Sequence, residues 1–562
     1  MSNLQAVNAA RRAELAGPPG LRGVVKNPRL FRLAITTTLG ALCYGYEQGA
    51  YSQVLVMDAF VSNPKFSRIA NDSSFKGWSV STLGLGGWVG ALSNGYLCDN
   101  ISRRWTLFVG SLVCLLGTAL TTGAQNAAWM FVGRFFIGWA VGSLSAAVPL
   151  YNSEISPPEL RGTIVSIQQL AIVTGICISF WVGYGTNFIS ETNSASWRVC
   201  LAGQGVPAIA LALLSFTLPY TPRWLIRKGR NQEALKTLAW LRKMPEDSEI
   251  VQLEYLEIQA EAMFEAEMTA ERFPHLAGGG AFTQFRLQVA QFGELFTSIH
   301  MFRRTAVACL TQFFQQMSGI DAIIYYAPTI FQSLKFPGRT VSLLAAGVIG
   351  VVFIISTFPA IATIDRVGRR PLLIFGGSGM ALMLILVAAL TATYQPEWND
   401  SAAAWTTATF LWLYVAFFGM SWGGSSFVDG KRCLFKFIYD VLKGIKVISE
   451  VFPLSTRAHG VALAASANWM TNFIVSIIVP VMLDNITYGT YLVFLMFMLM
   501  GIAFAIWVLP ETFCKSLEEM DMVFGSGEGQ ADMARMERIL TSLKTADEKR
   551  PRSIGSSKSE KA

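Results

Sequence analysis

Ten residues, Gly95-Tyr-Leu-Cys-Asp99-Asn-Ile-Ser-Arg103-Arg104, form a short charged turn between two long apolar runs. An acid followed four and five residues later by two arginines cannot lie in hydrocarbon, so the turn must face water. The pattern returns as Asp365-Arg-Val-Gly368-Arg369-Arg370, again between apolar runs and displaced by 266 residues. Two further marks repeat in the same order. Ser153-Glu154-Ile-Ser-Pro-Pro-Glu-Leu-Arg161-Gly162 is echoed by Ser449-Glu450-Val-Phe-Pro-Leu-Ser-Thr-Arg457-Ala-His-Gly460, and Pro219-Tyr-Thr-Pro222-Arg223-Trp224-Leu225 more loosely by Pro510-Glu511-Thr512-Phe-Cys-Lys-Ser-Leu517. Three marks in one order, twice, mean two halves of like build. Parallel duplication about an axis normal to the membrane is one of the transporter plans.

Only 15% of the 562 residues are charged and 52% are apolar, where a soluble chain carries about 25% charged residues. Apolar runs of roughly the 20 residues a crossing helix needs fall near 33–53, 77–97, 105–124, 129–151, 163–186, 200–219, 303–332, 342–364, 371–393, 404–428, 460–483 and 488–509. The expected fold is therefore an all-α membrane protein of twelve transmembrane helices in two pseudo-symmetric halves. Its expected parts are an N-terminal segment (1–29), a six-helix half (30–220), a charged helical linker (221–302), a second six-helix half (303–510) and a tail (511–562), whose Ser- and Lys-rich 525–562 reads as disordered.

The net charge of +8 gathers in the N-terminus, the linker and alternate loops. That bias places both termini in the cytoplasm and gives no reason to invoke nucleic acid. Asn-x-Ser/Thr sites at Asn71, Asn399 and Asn485 fall in loops thereby assigned outside, and are candidate glycosylation sites; Asn100 falls inside. The eight cysteines lie mostly within apolar runs and read as packing residues rather than a disulfide framework. The N-terminus lacks the pattern of a removed signal peptide.

The Asp…Arg-Arg turns, Gly133-Arg134-Phe-Phe-Ile-Gly138, Pro-Tyr-Thr-Pro-Arg-Trp-Leu, Gln315-Gln316-Met-Ser-Gly-Ile-Asp321-Ala-Ile-Ile-Tyr325-Tyr326 and Pro-Glu-Thr together resemble the sugar porter family of the major facilitator superfamily, with wording closest to fungal hexose-type members, over about residues 33–520. The resemblance implies a secondary transporter working as a monomer in the lipid bilayer of the plasma membrane. It would import a monosaccharide (hexose or pentose) or related polyol by proton symport and alternating access. A proton-independent facilitator and a non-transporting sugar sensor are the alternatives on the same fold. No nucleotide loop, metal cluster or nucleophile triad is legible, so neither an enzyme nor a cofactor beyond the coupling proton is expected.

Glu47 lies mid-span in the first apolar run, where an isolated carboxylate is expensive, and Arg134 in the fourth is its natural partner. Such a pair can gate a proton; a static ion pair is the plainer reading. The resemblance maps sugar contacts onto Gln169, Gln315, Gln316, Asp321, Phe427, Asn468, Trp469 and Asn472, and a gate onto Tyr325 and Tyr326. Neutral amides suit hydroxyls without the cost of a buried charge, and an indole face suits a pyranose; interhelical hydrogen bonding is the competing role. Asp321, Phe353 and Phe427 depart from the family's usual Asn, Asn and Trp. The water-facing charges are expected to latch the cytoplasmic side: Asp99 with Arg103 and Arg104, Asp365 with Arg369 and Arg370, Glu154 with Arg161, and Glu450 with Arg457.

Residues 429–446 break the pattern. The segment would bring Asp429, Lys431, Arg432, Lys436, Asp440, Lys443 and Lys446 into the tenth span, at about 2.5–3.5 kcal/mol per central charge even on a lenient scale. It must loop out or break the helix, as a translated intron or as a true regulatory insertion.

Overall fold

In the computed structural model the chain is described at residue 23 and over residues 26–548, apart from 158–159, 277–279, 337–338, 368, 396–397, 399, 426–451, 454 and 510–527. The regular structure among the described residues is helical. The first half comprises α1 (Pro28–Val54), the short α2 (Asp58–Val61) and α3 (Ser67–Asn71), then α4 (Ser73–Asn100), α5 (Arg103–Thr122), α6 (Ala127–Ile155), α7 (Arg161–Asn187), α8 (Ala195–Ala202) and α9 (Gly205–Ser215). The linker holds α10 (Pro222–Arg227), α11 (Asn231–Arg242), α12 (Glu249–Arg272) and α13 (Ala281–Glu294). The second half comprises α14 (Ile299–Met317), α15 (Ile320–Ser333), α16 (Arg339–Val367), α17 (Arg369–Tyr394), α18 (Ser401–Met420), α19 (Trp422–Ser425), α20 (Arg457–Asn485) and α21 (Gly489–Trp507); α22 (Glu528–Glu548) follows.

Local chemistry sets where the long helices begin. Side-chain oxygens of Asn27, Asp72, Ser102, Asn126, Ser298 and Asp400 accept from backbone N–H groups in the first turns of α1, α4, α5, α6, α14 and α18. Each satisfies a donor that would otherwise be stranded at the edge of hydrocarbon.

Nine crossing segments among the described residues are long and apolar enough to span a membrane by composition alone. The three that fall short are α1, α4 and the pair α14–α15. Polar residues turned inward lower the hydropathy of each. α1 buries Thr36, Thr37, Thr38, Glu47, Gln48 and Gln53; α4 buries Ser79, Ser81 and Asn94; α14 buries Gln312, Gln315 and Gln316. The last pair is also broken at Ser318–Gly319, where Gly319 takes φ +94° and a Cβ would strike the Phe494 ring. α15 kinks again at Tyr326 (φ −117°, ψ 16°), two residues before Pro328.

Within the first half α4 and α6 meet backbone to backbone. A Cβ on Gly86, Gly90, Gly138 or Gly142 would enter the facing helix's main chain, the small-residue packing that holds membrane helices without a hydrophobic drive. The halves touch through α1–α15, α7–α16 and α4–α20. Gly77 faces Ile477, Gly350 faces Cys177 and Gly347 faces Trp181, so the tight contact lies towards the end remote from the linker. Asn71 and Asn485 are exposed at that same end, while Asn399 lies outside the described residues.

One expectation fails here. Residues 528–548 are helical rather than disordered, because Met536, Ile539, Leu540 and Leu543 make an apolar stripe that packs on Ala260, Phe264 and Met268 of α12. His459 is half-buried and stands edge-on to Phe292 with ring centroids 5.4 Å apart. Residues 429–446, Phe427 and Glu450 lie outside the described residues.

Candidate functional site

Two polar clusters face each other where the halves meet. The first belongs to the N-terminal half. Arg134 of α6 places Nη1 2.7 Å from Oε1 of Glu47 on α1, with both side chains 1% exposed. The guanidinium also donates from Nε to the Ser79 carbonyl (2.7 Å) and from Nη2 to that of Val80 (3.1 Å), both on α4. Its face lies 3.7 Å from the centre of the Tyr51 ring, one turn along α1 from Glu47. Tyr51 is itself fixed by its hydroxyl, 3.1 Å from Ser79 Oγ. The two partners are therefore held unequally. The cation has a carboxylate, two carbonyls and a ring, whereas the second carboxylate oxygen of Glu47 is buried without a hydrogen-bond partner. A proton arriving here has an acceptor waiting on Glu47, and Arg134 would keep its carbonyl contacts when the carboxylate is neutralised.

The second cluster belongs to the C-terminal half. Gln312, Gln315 and Gln316 share the inner face of α14, opposite Asn468 and Asn472 on α20. Asn468 Nδ2 donates to Oε1 of Gln312 (2.7 Å) and of Gln315 (3.1 Å), while its Oδ1 accepts from Gln316 Nε2 at 3.0 Å. Gln315 Nε2 donates to the Trp422 carbonyl at 3.0 Å. Asn472 Nδ2 donates to Asp321 and, at 3.3 Å, to the Tyr325 hydroxyl. After these bonds Gln312 Nε2, Gln316 Oε1 and Asn472 Oδ1 are buried with no partner. Buried amide atoms without partners are costly, and a polyhydroxylated ligand supplies both the donors and the acceptors they lack.

α1 joins the clusters. Gln48, next to Glu47, donates to the hydroxyls of Tyr44 (3.2 Å) and Tyr325 (3.4 Å). Tyr44 lies against Trp469 with centroids 5.3 Å apart, and Gly87 of α4 leaves room for that indole. Trp88 closes the contact by donating to Ser466 Oγ at 2.8 Å.

The structure thus brings together Gln315, Gln316, Asp321, Tyr325, Asn468, Trp469 and Asn472, and separately Glu47 with Arg134. Gln169 is half-buried on α7 beside the buried Gln168. Tyr326 turns its hydroxyl onto the Ser476 carbonyl at 2.7 Å, a lock on α20. Phe353 packs edge-on to Phe418 at 6.0 Å. Sequence reasoning missed Gln312, Gln48 and Tyr44. Gln312 had a signal, since it stands three and four residues before Gln315 and Gln316 on one helical face. Among the described residues no cluster of three His, Cys, Asp or Glu side chains could hold a metal ion.

Of the water-facing charges, Asp99 and Arg103 pair as expected, and further contacts surround them. Arg103 pairs with Asp99 at 3.1 Å and with Glu154 at 3.0 Å, so the partner found for Glu154 is Arg103; the Arg161 side chain lies outside the description. Arg104 donates to the Phe216 carbonyl at 2.9 Å. Arg227 of α10 reaches Asp99 at 3.1 Å and also Glu265, and Arg223 reaches Glu261 at 2.6 Å. Burial alone would lower the pKa of Arg227, but the carboxylates of Glu265 and Asp99 outweigh it and raise it above the usual arginine value. These bonds tie the first half to the linker rather than to the second half. In the second half Arg370 donates to the Ile506 carbonyl, Arg457 begins α20, and the side chains of Asp365 and Arg369 are outside the description.

Two six-helix bundles around a central polar site, built of interrupted helices, define a multi-pass membrane transporter of the major facilitator fold. The fold matches the xylose transporter XylE from E. coli in a partially occluded inward-open conformation (TM-score 0.67, 23% identity, 86% of this chain and 98% of that one). It also matches the proton:xylose symporter XylE bound to 6-bromo-6-deoxy-D-glucose (TM-score 0.68, 24% identity, 89% and 100%). The family described as "Sugar (and other) transporter" matches residues 33–429 and 432–524, and the chain belongs to that family. It is 31% identical over 517 residues to the MFS-type transporter qa-x of Neurospora crassa, covering 89% of each chain. It is 30% identical over 510 residues to a probable quinate permease of Aspergillus niger, covering 89% of this chain and 88% of the relative. The chain is a transporter and not an enzyme.

Proposed function

We propose that this protein imports a monosaccharide (hexose or pentose) or related polyol across the plasma membrane by proton symport, with both termini in the cytoplasm. The observation that carries the reading is the adjacency of Glu47 and Gln48 on α1. Glu47 holds the buried charge pair, and Gln48 reaches Tyr325, which accepts from Asn472 in the amide cluster. Protonation of Glu47 weakens its hold on Arg134. Substrate in the amide cluster competes for Tyr325 and Asn472. Both events bear on α1 and α15, one of the three helix pairs through which the halves meet, so proton and substrate bias one rocking motion.

Uptake of labelled hexoses, pentoses and polyols by a transporter-deficient cell, with and without a protonophore, tests the reading. Accumulation against a gradient that collapses with protonophore is the expected result. Uptake indifferent to protonophore and external pH would leave a facilitator, and binding without uptake would leave a sensor.

A further inference from the structure

The break at Ser318–Gly319 sets the first turn of α15 inside the amide cluster, ahead of the kink at Tyr326. Asp321 is the second residue of α15, 5% exposed, and its carboxylate accepts from Asn472. Among the described residues no Lys, Arg or His offsets it, and the one buried cation of the interface, Arg134, is engaged with Glu47 and two carbonyls. The polar atoms left for a ligand are amide atoms, one of them Asn472 Oδ1 on the very side chain that binds Asp321.

We infer that Asp321 makes this site select neutral polyhydroxylated substrates and reject carboxylated ones. A second negative charge beside the buried Asp321 carboxylate would be uncompensated there. A neutral sugar or polyol brings hydroxyl donors to Asp321 and Asn472 Oδ1 without that repulsion. This inference rests on the amide cluster being the substrate site. It separates this chain from relatives named as quinate permeases, because quinate is a carboxylate.

Ligand-induced thermal stabilisation of the purified full-length protein tests it without requiring transport. The probes are D-xylose, myo-inositol, quinate and the uncharged methyl ester of quinate, which differs from quinate at one charge. Wild type should bind the ester at least tenfold more tightly than quinate, and at least one of the neutral sugars or polyols should stabilise it. Asp321→Asn, nearly isosteric, should bring ester and acid within about threefold, whereas Asp321→Glu should keep the discrimination. Quinate binding as tight as its ester in wild type would overturn the inference with no variant needed. An unchanged tenfold gap in a folded Asp321→Asn protein would also overturn it. Failure of uptake with this binding preference intact would sink the transport reading alone.

Discussion

The two halves share an architecture and divide the chemistry. The N-terminal core buries a full ion pair, anchored to backbone carbonyls of α4 and closed over by Tyr51. The C-terminal half sets against it a buried cluster of amides and one carboxylate, in which three amide atoms lack partners. A buried ion pair is stiff and binary, because removing one partner strands a charge. An amide lattice is adaptable, because each Gln or Asn offers both donor and acceptor. Duplication supplied the frame twice, and different inward-facing residues turned one copy towards a charge pair and the other towards an amide cluster.

The strongest way to break this contrast is to disarm the ion pair. Glu47→Gln should reduce sugar accumulation to simple equilibration while leaving exchange across the membrane intact, measured by counterflow. Arg134→Leu should do worse, since it leaves Glu47 buried and alone at a cost of about 3–5 kcal/mol; a fall in surface expression and in melting temperature would show it. If Glu47→Gln still accumulates sugar, the division of labour is wrong.

The complementary test strikes the amides. Gln316→Ala and Asn472→Ala should each raise KM about tenfold, since a lost hydrogen bond is worth about 1–1.5 kcal/mol. Both should leave the accumulation ratio at saturating sugar unchanged. Asn468→Ala should combine weaker binding with lower stability, because Asn468 alone makes three bonds that tie α20 to α14. Equal effects of Asn468 and Asn472 on melting temperature would erase that distinction.

The halves also differ in how helices approach. A methyl on Gly142 would enter the main chain of Gly87, which cannot yield, whereas a methyl on Gly379 would meet the Phe417 ring, which can swing. Gly142→Ala should lower the melting temperature by several degrees and Gly379→Ala by less, read by a thermal unfolding assay in detergent. A reversal would mean that the second half is the rigid one.

Much of this was legible beforehand because the membrane permits few solutions. The repeated Asp…Arg-Arg turns at Asp99 and Asp365 and the apolar runs specify the frame, and an isolated mid-span Glu47 demands a partner such as Arg134. What escaped the sequence depends on rotation and on tertiary choice. Gln48 looks like any polar neighbour until α1 aims it at Tyr325, and Tyr44 gains meaning only beside Trp469. The pairing of Glu154 with Arg103, fifty-one positions away along the chain, is marked by no motif spacing. The tail misled for another reason. Met536, Ile539, Leu540 and Leu543 are spaced for a helix, but the surrounding Lys, Glu and Ser dilute the composition below what a packed segment usually shows.

The smallest effect belongs to that tail, and it contrasts the linker's two attachments. On the first half the linker is held by the nearly buried Arg242–Glu254 pair, whose Arg242 also donates to the Ile155 carbonyl at 2.9 Å. On α22 it is held by the exposed pairs Arg535–Glu271 and Arg538–Glu267 around an apolar stripe, and Asp532 near the start of α22 accepts from the Ser455 N–H at 3.2 Å. The hydrogen bond from Arg535, and then its charge, hold the Glu271 carboxyl below the usual glutamate range. A depressed acid stabilises above its unfolded pKa of about 4.3 and loses that contribution as pH falls through the lower folded value. Docking of α22 should therefore be flat from pH 5 to 8 and weaken only in stronger acid. Hydrogen exchange over residues 528–548 would read this, with Ile539→Asp as the control that releases the helix outright. Salt near 1 M should speed exchange less than twofold, since surface pairs are screened while the stripe is not. A large salt effect would make charge, rather than Ile539 and Leu540, the main hold on the tail.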